Sequence, residues 1–217
     1  MPKHIVVGIT GASGALYAQR AIRLLLGAGV ETHLVVSPLG QRLLHDELGM
    51  EGIDLPTLAG CASAPAPEHG APSPPSPGLI LHHYRDVGAP IASGSFAHDG
   101  MLIIPCSSNT LSAVAVGSAA NLLHRAAQVC LKERRRLVLV HRESPLSLVD
   151  IRNMQLATEA GAIICPANPG FYLLPRSVDD LVDFVVARAL DLLGVAHGLK
   201  VRWKPDEAPA REPPARG

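Results

Sequence analysis

Aromatic side chains are scarce: one Trp, three Tyr and three Phe make up 3% of 217 residues. With 47% of the chain apolar, the core has to be aliphatic and small-residue-rich, as in close-packed α/β proteins. Neither sign of charge is in excess. Nineteen Lys and Arg meet 19 Asp and Glu with ten His neutral, which argues against a general polyanion binder or a protein drawn to an anionic membrane. Cysteine occurs only at 61, 106, 130 and 165, with no Cys-x-x-Cys pair and no His spacing suited to zinc. That speaks against a metal ribbon and a disulfide scaffold, and reduced thiols are the simpler reading. No run reaches the roughly 18 apolar residues of a membrane span, and Met1-Pro2-Lys3-His4 leads directly into an apolar pattern without a secretory leader. A cytoplasmic protein is expected, with neither nucleic acid nor membrane as partner.

At about 150 residues per domain, the length suits one domain with a surplus. Ile5-Val6-Val7-Gly8-Ile9 is a β-branched run of the kind buried on both faces of a parallel sheet, and Leu16 to Leu26 has helical spacing with a stop at Gly27 and Gly29. Glu31 to Ser37 reads as a second strand and Pro38 to Gly49 as a second helix. Between about Asp54 and Gly78 Pro, Ala and Ser dominate, above all at 60–78, predicting a surface excursion. Strands are expected at Leu79–Tyr84, Gly100–Ile104, Arg136–Val140 and Ala162–Cys165. Helices are expected from Ser107 to about Gly117, at Leu122–Glu133 and Ser147–Ala160, and from a capping sequence at Ser177 to Leu193. The alternation predicts an α/β three-layer sandwich with a mostly parallel sheet and right-handed crossovers over 1–203. The tail 204–217, rich in Pro and charge, is expected to be disordered.

The first strand-to-helix turn, Gly8-Ile9-Thr10-Gly11-Ala12-Ser13-Gly14-Ala15, is G-x-x-G-x-x-G rather than the dinucleotide fingerprint, and it lacks the Lys of a Walker A loop. Small residues there still let backbone approach a phosphate or a flat ring. A tight turn that binds nothing is the alternative. Ser37 and the run Ser107, Ser108, Asn109, Thr110 fall just past strand ends, where crevices form in such sheets, and suit a phosphate bound without metal. Each also reads as an ordinary N-cap. Lys132-Glu133-Arg134-Arg135-Arg136 looks like a helix end, with Arg134 and Arg135 assigned to solvent. Arg142-Glu143 follows a buried strand directly, a costly place for charge; a crevice-facing pair and a salt-bridged loop pair both fit. Arg188 in an apolar helix either snorkels or, with a Tyr hydroxyl, holds a second phosphate.

Together, Thr10 to Ala15, Ala92-Ser93-Gly94-Ser95, Pro105-Cys106-Ser107 with Thr110-Leu111, Arg125-Ala126-Ala127 before Leu131 to Arg135, Arg142-Glu143 and Gly170-Phe171-Tyr172 resemble the UbiX-type flavin prenyltransferases, in order, from about residue 3 to Trp203. The resemblance implies a flavodoxin-like Rossmann fold, assembled as a homo-oligomer and usually a dodecamer. It implies an enzyme that joins the dimethylallyl group of dimethylallyl phosphate to N5 and C6 of reduced FMN without a metal ion. The product, prenylated FMN, would be supplied to a UbiD-type decarboxylase. Carried over by motif, Gly11, Ala12 and Ser13 contact FMN, with Ser13 near N5. Ser37 and Ser107, Ser108, Asn109 and Thr110 hold its ribityl phosphate, and Ser93, Arg125 and Arg142 add flavin or phosphate contacts. Lys132, Arg142, Tyr172 and Arg188 gather around the dimethylallyl phosphate, some from neighbouring subunits. Glu143 handles a proton, Glu47 is a second catalytic candidate, and Trp203 faces the allylic cation.

Two other classes are weighed. An FMN-dependent cysteine decarboxylase would carry a His after the second strand, where this chain has Ser37-Pro38. A plain FMN carrier would have no use for a second phosphate site. The lack of an Asp-rich Mg²⁺ motif leans toward the monophosphate as donor.

Overall fold

The computed structural model describes residues 3–60, 76–199 and 201. Cys61, most of the Pro/Ala-rich stretch, Trp203 and the tail lie outside the described residues. Six strands form one sheet: β1 (His4–Ile9), β2 (Glu31–Val36), β3 (Leu79–His82), β4 (Gly100–Cys106), β5 (Arg136–His141) and β6 (Ile163–Ile164). The order is β3-β2-β1-β4-β5-β6 and every pairing is parallel, the doubly wound arrangement of Rossmann folds. The helices are α1 (Ala15–Gly27), α2 (Pro38–Leu48), α3 (Leu55–Ala59), α4 (Ser108–Ala115), α5 (Leu122–Lys132), α6 (Leu148–Glu159) and α7 (Val178–Leu193).

Strand alternation sorts the core into two layers. Ile5, Val7, Ile9, Leu34, Leu102, Ile104, Val138 and Val140 face α1, α2, α3 and α7. Val6, Val35, Met101, Ile103, Leu137 and Leu139 face α4, α5 and α6. None of these strand residues is aromatic, so closeness of approach replaces bulk. At Gly8 a Cβ would stand 3.1 Å from Leu123 of α5, and at Gly40 it would stand 2.5 Å from the carbonyl oxygen of Ile9. The start of α2 therefore rests directly on the end of β1.

Most helix starts are specified by a hydroxyl or amide side chain. Ser37, Ser107 and Asn121 cap α2, α4 and α5, while Ser147 with Asp150 and Ser177 with Asp180 make reciprocal capping boxes on α6 and α7. Pro38 occupies the first helical position, where its missing N–H costs nothing, so α2 begins at once after Ser37.

Five details differ from the sequence reading, and the first is that β3 stops at His82 rather than at Tyr84. The excursion begins later than Asp54, because Asp54 caps the short helix α3, whose Leu55, Pro56 and Leu58 are buried. β4 runs through Pro105 to Cys106, with the proline tolerated where the β4–β5 register shifts between Ile103 and Cys106. β5 extends one residue to His141, and β6 shrinks to two residues.

Gly40→Ala is expected to lower unfolding stability by about 1–3 kcal/mol, because backbone blocks the added methyl. Gly27→Ala, with open space around it, should be neutral or stabilising by up to about 1 kcal/mol. Urea midpoints of the two variants compare them directly.

Candidate active site

The sheet order reverses between β1 and β4. The chain leaves β1 toward one face and β4 toward the other, so their carboxyl ends frame a crevice. Thr10, 1% exposed, joins the two walls. Its hydroxyl donates to the Pro105 carbonyl at 2.8 Å and accepts the Ser107 N–H at 2.9 Å. The loop beyond it is bare backbone by necessity. A Cβ on Gly11 would lie 2.4 Å from Cβ of Leu39, and Gly14 adopts φ +132 with the Tyr17 ring 2.6 Å from where its Cβ would be. Ala12 is buried, whereas Gly11 and Ser13 are exposed.

Of the helices that start at this end of the sheet, α1, α2 and α4 border the turn, and they differ electrostatically. The N-terminus of α1 carries no side-chain cap of its own. Instead the Glu47 carboxylate, from α2, accepts the N–H groups of Ala15 at 2.8 Å and Gly14 at 3.1 Å. Burial, and then the charge of Glu47, push the Tyr17 phenol above its ordinary pKa. An anion already sits where a dinucleotide fold would place a phosphate, so a second one is disfavoured there. At α2, Ser37 accepts from Gly40 at 3.0 Å. At α4, Ser107 accepts from Thr110 N–H at 3.3 Å and donates to the Thr110 hydroxyl at 3.2 Å. No carboxylate caps that helix, leaving the Ser107–Thr110 turn the better anion site; Asn109 is exposed at its rim.

A polar cluster absent from the sequence reading backs the far wall. His141, 3% exposed at the end of β5, places Nε2 3.1 Å from the Ser108 hydroxyl. That hydroxyl lies 3.5 Å from Glu143 Oε2 and also bonds Asp150. Bonds from Ser108, then from the Ser147 hydroxyl and backbone, hold the Asp150 carboxyl down at about 2. Burial lowers the pKa of His141 and favours neutral imidazole, with Asp150 and Glu143 opposing the shift. Glu143 is exposed, its other oxygen accepting the Ser144 N–H at 3.1 Å. Carboxylate, hydroxyl and imidazole thus form a chain able to take up and relay a proton. Arg142 donates its backbone N–H to the Cys106 carbonyl at 3.2 Å, and its side-chain Nε is buried without a hydrogen-bond partner among the described residues. No Arg142–Glu143 ion pair exists among the described residues, so the salt-bridged-pair alternative does not describe this turn.

The remaining candidates lie elsewhere on the chain. Tyr172 follows β6 and meets Phe184 of α7 edge-on, with ring centroids 5.6 Å apart. Arg188, one turn beyond Phe184 and exposed, acts electrostatically on Cys165, whose thiol is otherwise pushed up by burial. α5 runs back toward the amino ends of the strands. Its first turn places Arg125 Nε 3.0 Å from the Ala92 carbonyl, and its last residue, Lys132, pairs with Glu133 against Gly94. Ser93 sits in that same segment, its hydroxyl 2.8 Å from that of Ser95. One chain therefore does not bring Ser93 and Lys132 to its own crevice. Arg135 is corrected: instead of facing solvent it is partly buried and donates to the carbonyls of Phe96 and Gly94, both at 2.7 Å, fixing the Ser93 loop. Trp203 lies outside the described residues.

A family model for flavoproteins, described simply as Flavoprotein, matches residues 1–190. The flavin prenyltransferase UbiX of Halalkalibacterium halodurans is 44% identical over 197 residues, covering 91% of each chain. Among solved structures, AnUbiX in complex with FMN and dimethylallyl pyrophosphate superposes with TM-score 0.82 at 39% identity, over 94% of this chain and 98% of that one. A dodecameric FMN-dependent UbiX-like decarboxylase from Escherichia coli O157:H7 gives TM-score 0.79 at 39% identity, covering 93% and 98%. The fold and crevice are those of a flavoprotein. Within that class, the chain belongs to the UbiX family of flavin prenyltransferases.

The Asp150 carboxyl titrates near 3.8 when free and at about 2 here. Its depressed value contributes stability that is present above the free value and is lost as pH falls through the native one. Asp150→Asn should therefore be less stable than the unchanged chain at neutral pH, with the gap closing as pH falls from 3.8 to about 2. Urea unfolding at a series of pH values reads this.

Proposed function

We propose that the crevice takes reduced FMN and a dimethylallyl phosphate ester as substrates and joins them into prenylated FMN, with prenyl transfer to N5 and C6. The observation that carries the reading is the asymmetry of the helix starts. Glu47 accepts the backbone N–H groups at the start of α1, while at α4 the cap is the Ser107 hydroxyl and the nearby carboxylates, Asp150 and Glu143, engage the Ser108 hydroxyl rather than the helix N–H groups. The ribityl phosphate then belongs at Ser107, Ser108, Asn109 and Thr110 with Ser37 beside it, and the flavin ring at Gly11, Ala12 and Ser13. Glu47 acts by organising that turn and stands as the second carboxylate candidate for proton handling.

In this scheme the allylic C–O bond breaks with its electron pair leaving on the phosphate. Lys132, Arg142 and Arg188, with the Tyr172 hydroxyl, balance the charge that develops there. The dimethylallyl C1 bonds N5 as N5 gives up its proton; a proton added to the remaining C=C then makes the tertiary carbon electrophilic, it bonds C6, and the C6 proton is released. Glu143 accepts a proton, with Ser108 and neutral His141 behind it as the relay. Trp203 would face the allylic group. Three cations around one leaving phosphate make a metal ion unnecessary, so turnover is expected to survive EDTA. The monophosphate is the preferred donor; the diphosphate is the comparison to run beside it.

Lys132 and Ser93 stand at the opposite end of the sheet from their own crevice, which supports a homo-oligomer in which they, and Arg125, serve a neighbour's site. Leu148, Val149 and Ile151 on α6 are 61%, 63% and 52% exposed, an apolar face suited to subunit contact. A dodecamer satisfies both. No helix among the described residues is long and apolar enough to cross a membrane, and the described cysteines are free and buried, in keeping with a cytoplasmic setting. The product's recipient would be a UbiD-type decarboxylase, and 1–203 would be the single catalytic domain.

Anaerobic incubation with reduced FMN and dimethylallyl monophosphate, followed by mass spectrometry of the released flavin, should show the gain of one C5 unit. Glu143→Gln should slow that gain by about 10²–10⁴-fold, the usual worth of a positioned proton-transfer group. Arg188→Ala should lose it while FMN binding persists. FMN recovered bound but unmodified under all conditions would leave a carrier or a decarboxylase instead.

A further inference from the structure

At the amino ends of β1 and β2, remote from the crevice, the parallel register sets His4 opposite Glu31, with His33 two residues further along the same face. His4 Nδ1 lies 2.8 Å and His33 Nε2 3.0 Å from one oxygen, Oε1 of Glu31. All three donor atoms fall within 4.8 Å of one another. His33 is buried at 6% side-chain exposure, whereas His4 and Glu31 keep 32% and 37%, so the group is anchored on one side and open to solvent on the other. We propose that His4, Glu31 and His33 form a site for one divalent transition-metal ion of the zinc class, separate from the prenyl-transfer crevice and held by two imidazoles and one carboxylate.

The donor chemistry fits that class. Imidazole nitrogen with carboxylate oxygen suits zinc, nickel and copper rather than calcium or magnesium. Bonds of about 2.0–2.1 Å at tetrahedral angles put ligand atoms roughly 3.4 Å apart, and the two observed nitrogen–oxygen separations need to open by only a few tenths of an ångström. A fourth position faces solvent on the His4 and Glu31 side, which makes room for water.

A further imidazole supports the arrangement. His82 of β3 stacks on His33 with centroids 5.2 Å apart, its Nε2 2.9 Å from His33 Nδ1. Without metal, His33 Nε2–H donates to Glu31 and its Nδ1 accepts from His82. With metal on His33 Nε2, the proton moves to Nδ1 and donates to His82, so every ring nitrogen of His33 stays engaged in both states. A ligating histidine whose other nitrogen is bonded in this way is held in one orientation and one tautomer. Phe96 caps the group edge-on, 4.9 Å from the His33 centroid, and His98, stacked on Phe96, leaves Nε2 buried without a hydrogen-bond partner among the described residues.

The test uses full-length protein stripped with EDTA and dialysed against Zn²⁺ alone, with metal per chain measured by elemental analysis and affinity by competition with a chromogenic chelator. One equivalent per chain is expected, weakened at least tenfold by Glu31→Gln and by His4→Ala, both at partly exposed side chains, and unchanged by His45→Ala on the surface of α2. Cobalt substituted into the unchanged protein should show the visible absorption of a nitrogen- and oxygen-ligated tetrahedral ion. Absence of stoichiometric binding, or binding that survives either variant, overturns the site. The readout is independent of prenyl transfer, so its failure says nothing against that activity.

Discussion

The carboxyl ends of β1 and β4 diverge onto opposite faces of the sheet, and the fold works only if those two ends are held together without filling the space between them. Thr10 meets that constraint with one side chain. Its hydroxyl gives a hydrogen to Pro105 and takes one from Ser107, both bonds made at a buried position. Each such bond is worth only about 0.5–1.5 kcal/mol net, but an unmet partner in the same place costs about 1–3 kcal/mol. The clasp is therefore directional as well as stabilising, and it sets the distance between the bare Gly11–Gly14 turn and the start of α4. Gly11, Ala12, Ser13 and the Ser107–Thr110 turn hang from those two segments, and Ser37 rests on Ile9 through Gly40.

Charge is distributed with the same economy. Gly14, the N-cap of α1, has no side chain to cap with, and Glu47 supplies the cap from α2. The consequence is that the positive end of the α1 dipole is already answered, whereas the backbone N–H groups at the start of α4 meet a hydroxyl cap and no carboxylate. Across the crevice, Asp150 is kept ionised by its hydroxyl and backbone donors while His141 is kept neutral by burial. Glu143 is exposed at this wall, its Oε2 3.5 Å from the Ser108 hydroxyl that links it to both groups.

The sheet, its layers and most helices were legible in the sequence because aliphatic periodicity and hydroxyl caps are local signals. Ser37, Ser107 and Ser177 cap where the pattern placed them. His141 was missed because it extends a strand that reads as ending at Val140; the adjoining Arg142-Glu143 was the available clue, since charge beside a buried strand needs an explanation. Arg135 was misjudged because a basic run after a helix looks solvated, and only the return of residues 93–96 beneath it reveals its two carbonyl partners. Pro105 read as a strand end because the register shift that accommodates it is a property of two strands together. The His4, Glu31 and His33 group escaped notice because its members come from two strands whose register no local spacing announces.

The division of the candidate residues between the two ends of the sheet is itself an argument about assembly. α5 carries Arg125 in its first turn and Lys132 at its end, about 1.5 Å per residue apart along the axis, so roughly 10 Å separates them. Seven residues apart, the two positions lie on nearly the same face of the helix, which can therefore line one elongated crevice from both of them. It can do so between chains, if its outer side lies along a neighbour's crevice. Arg135 then has a clear purpose: by holding the Ser93 loop rigid against the end of α5, it keeps Ser93 and Lys132 as one preformed surface. A loop ordered in advance loses little further entropy when a neighbour docks. In the proposed assembly, packing that looks structural within one chain becomes part of the chemistry of the next.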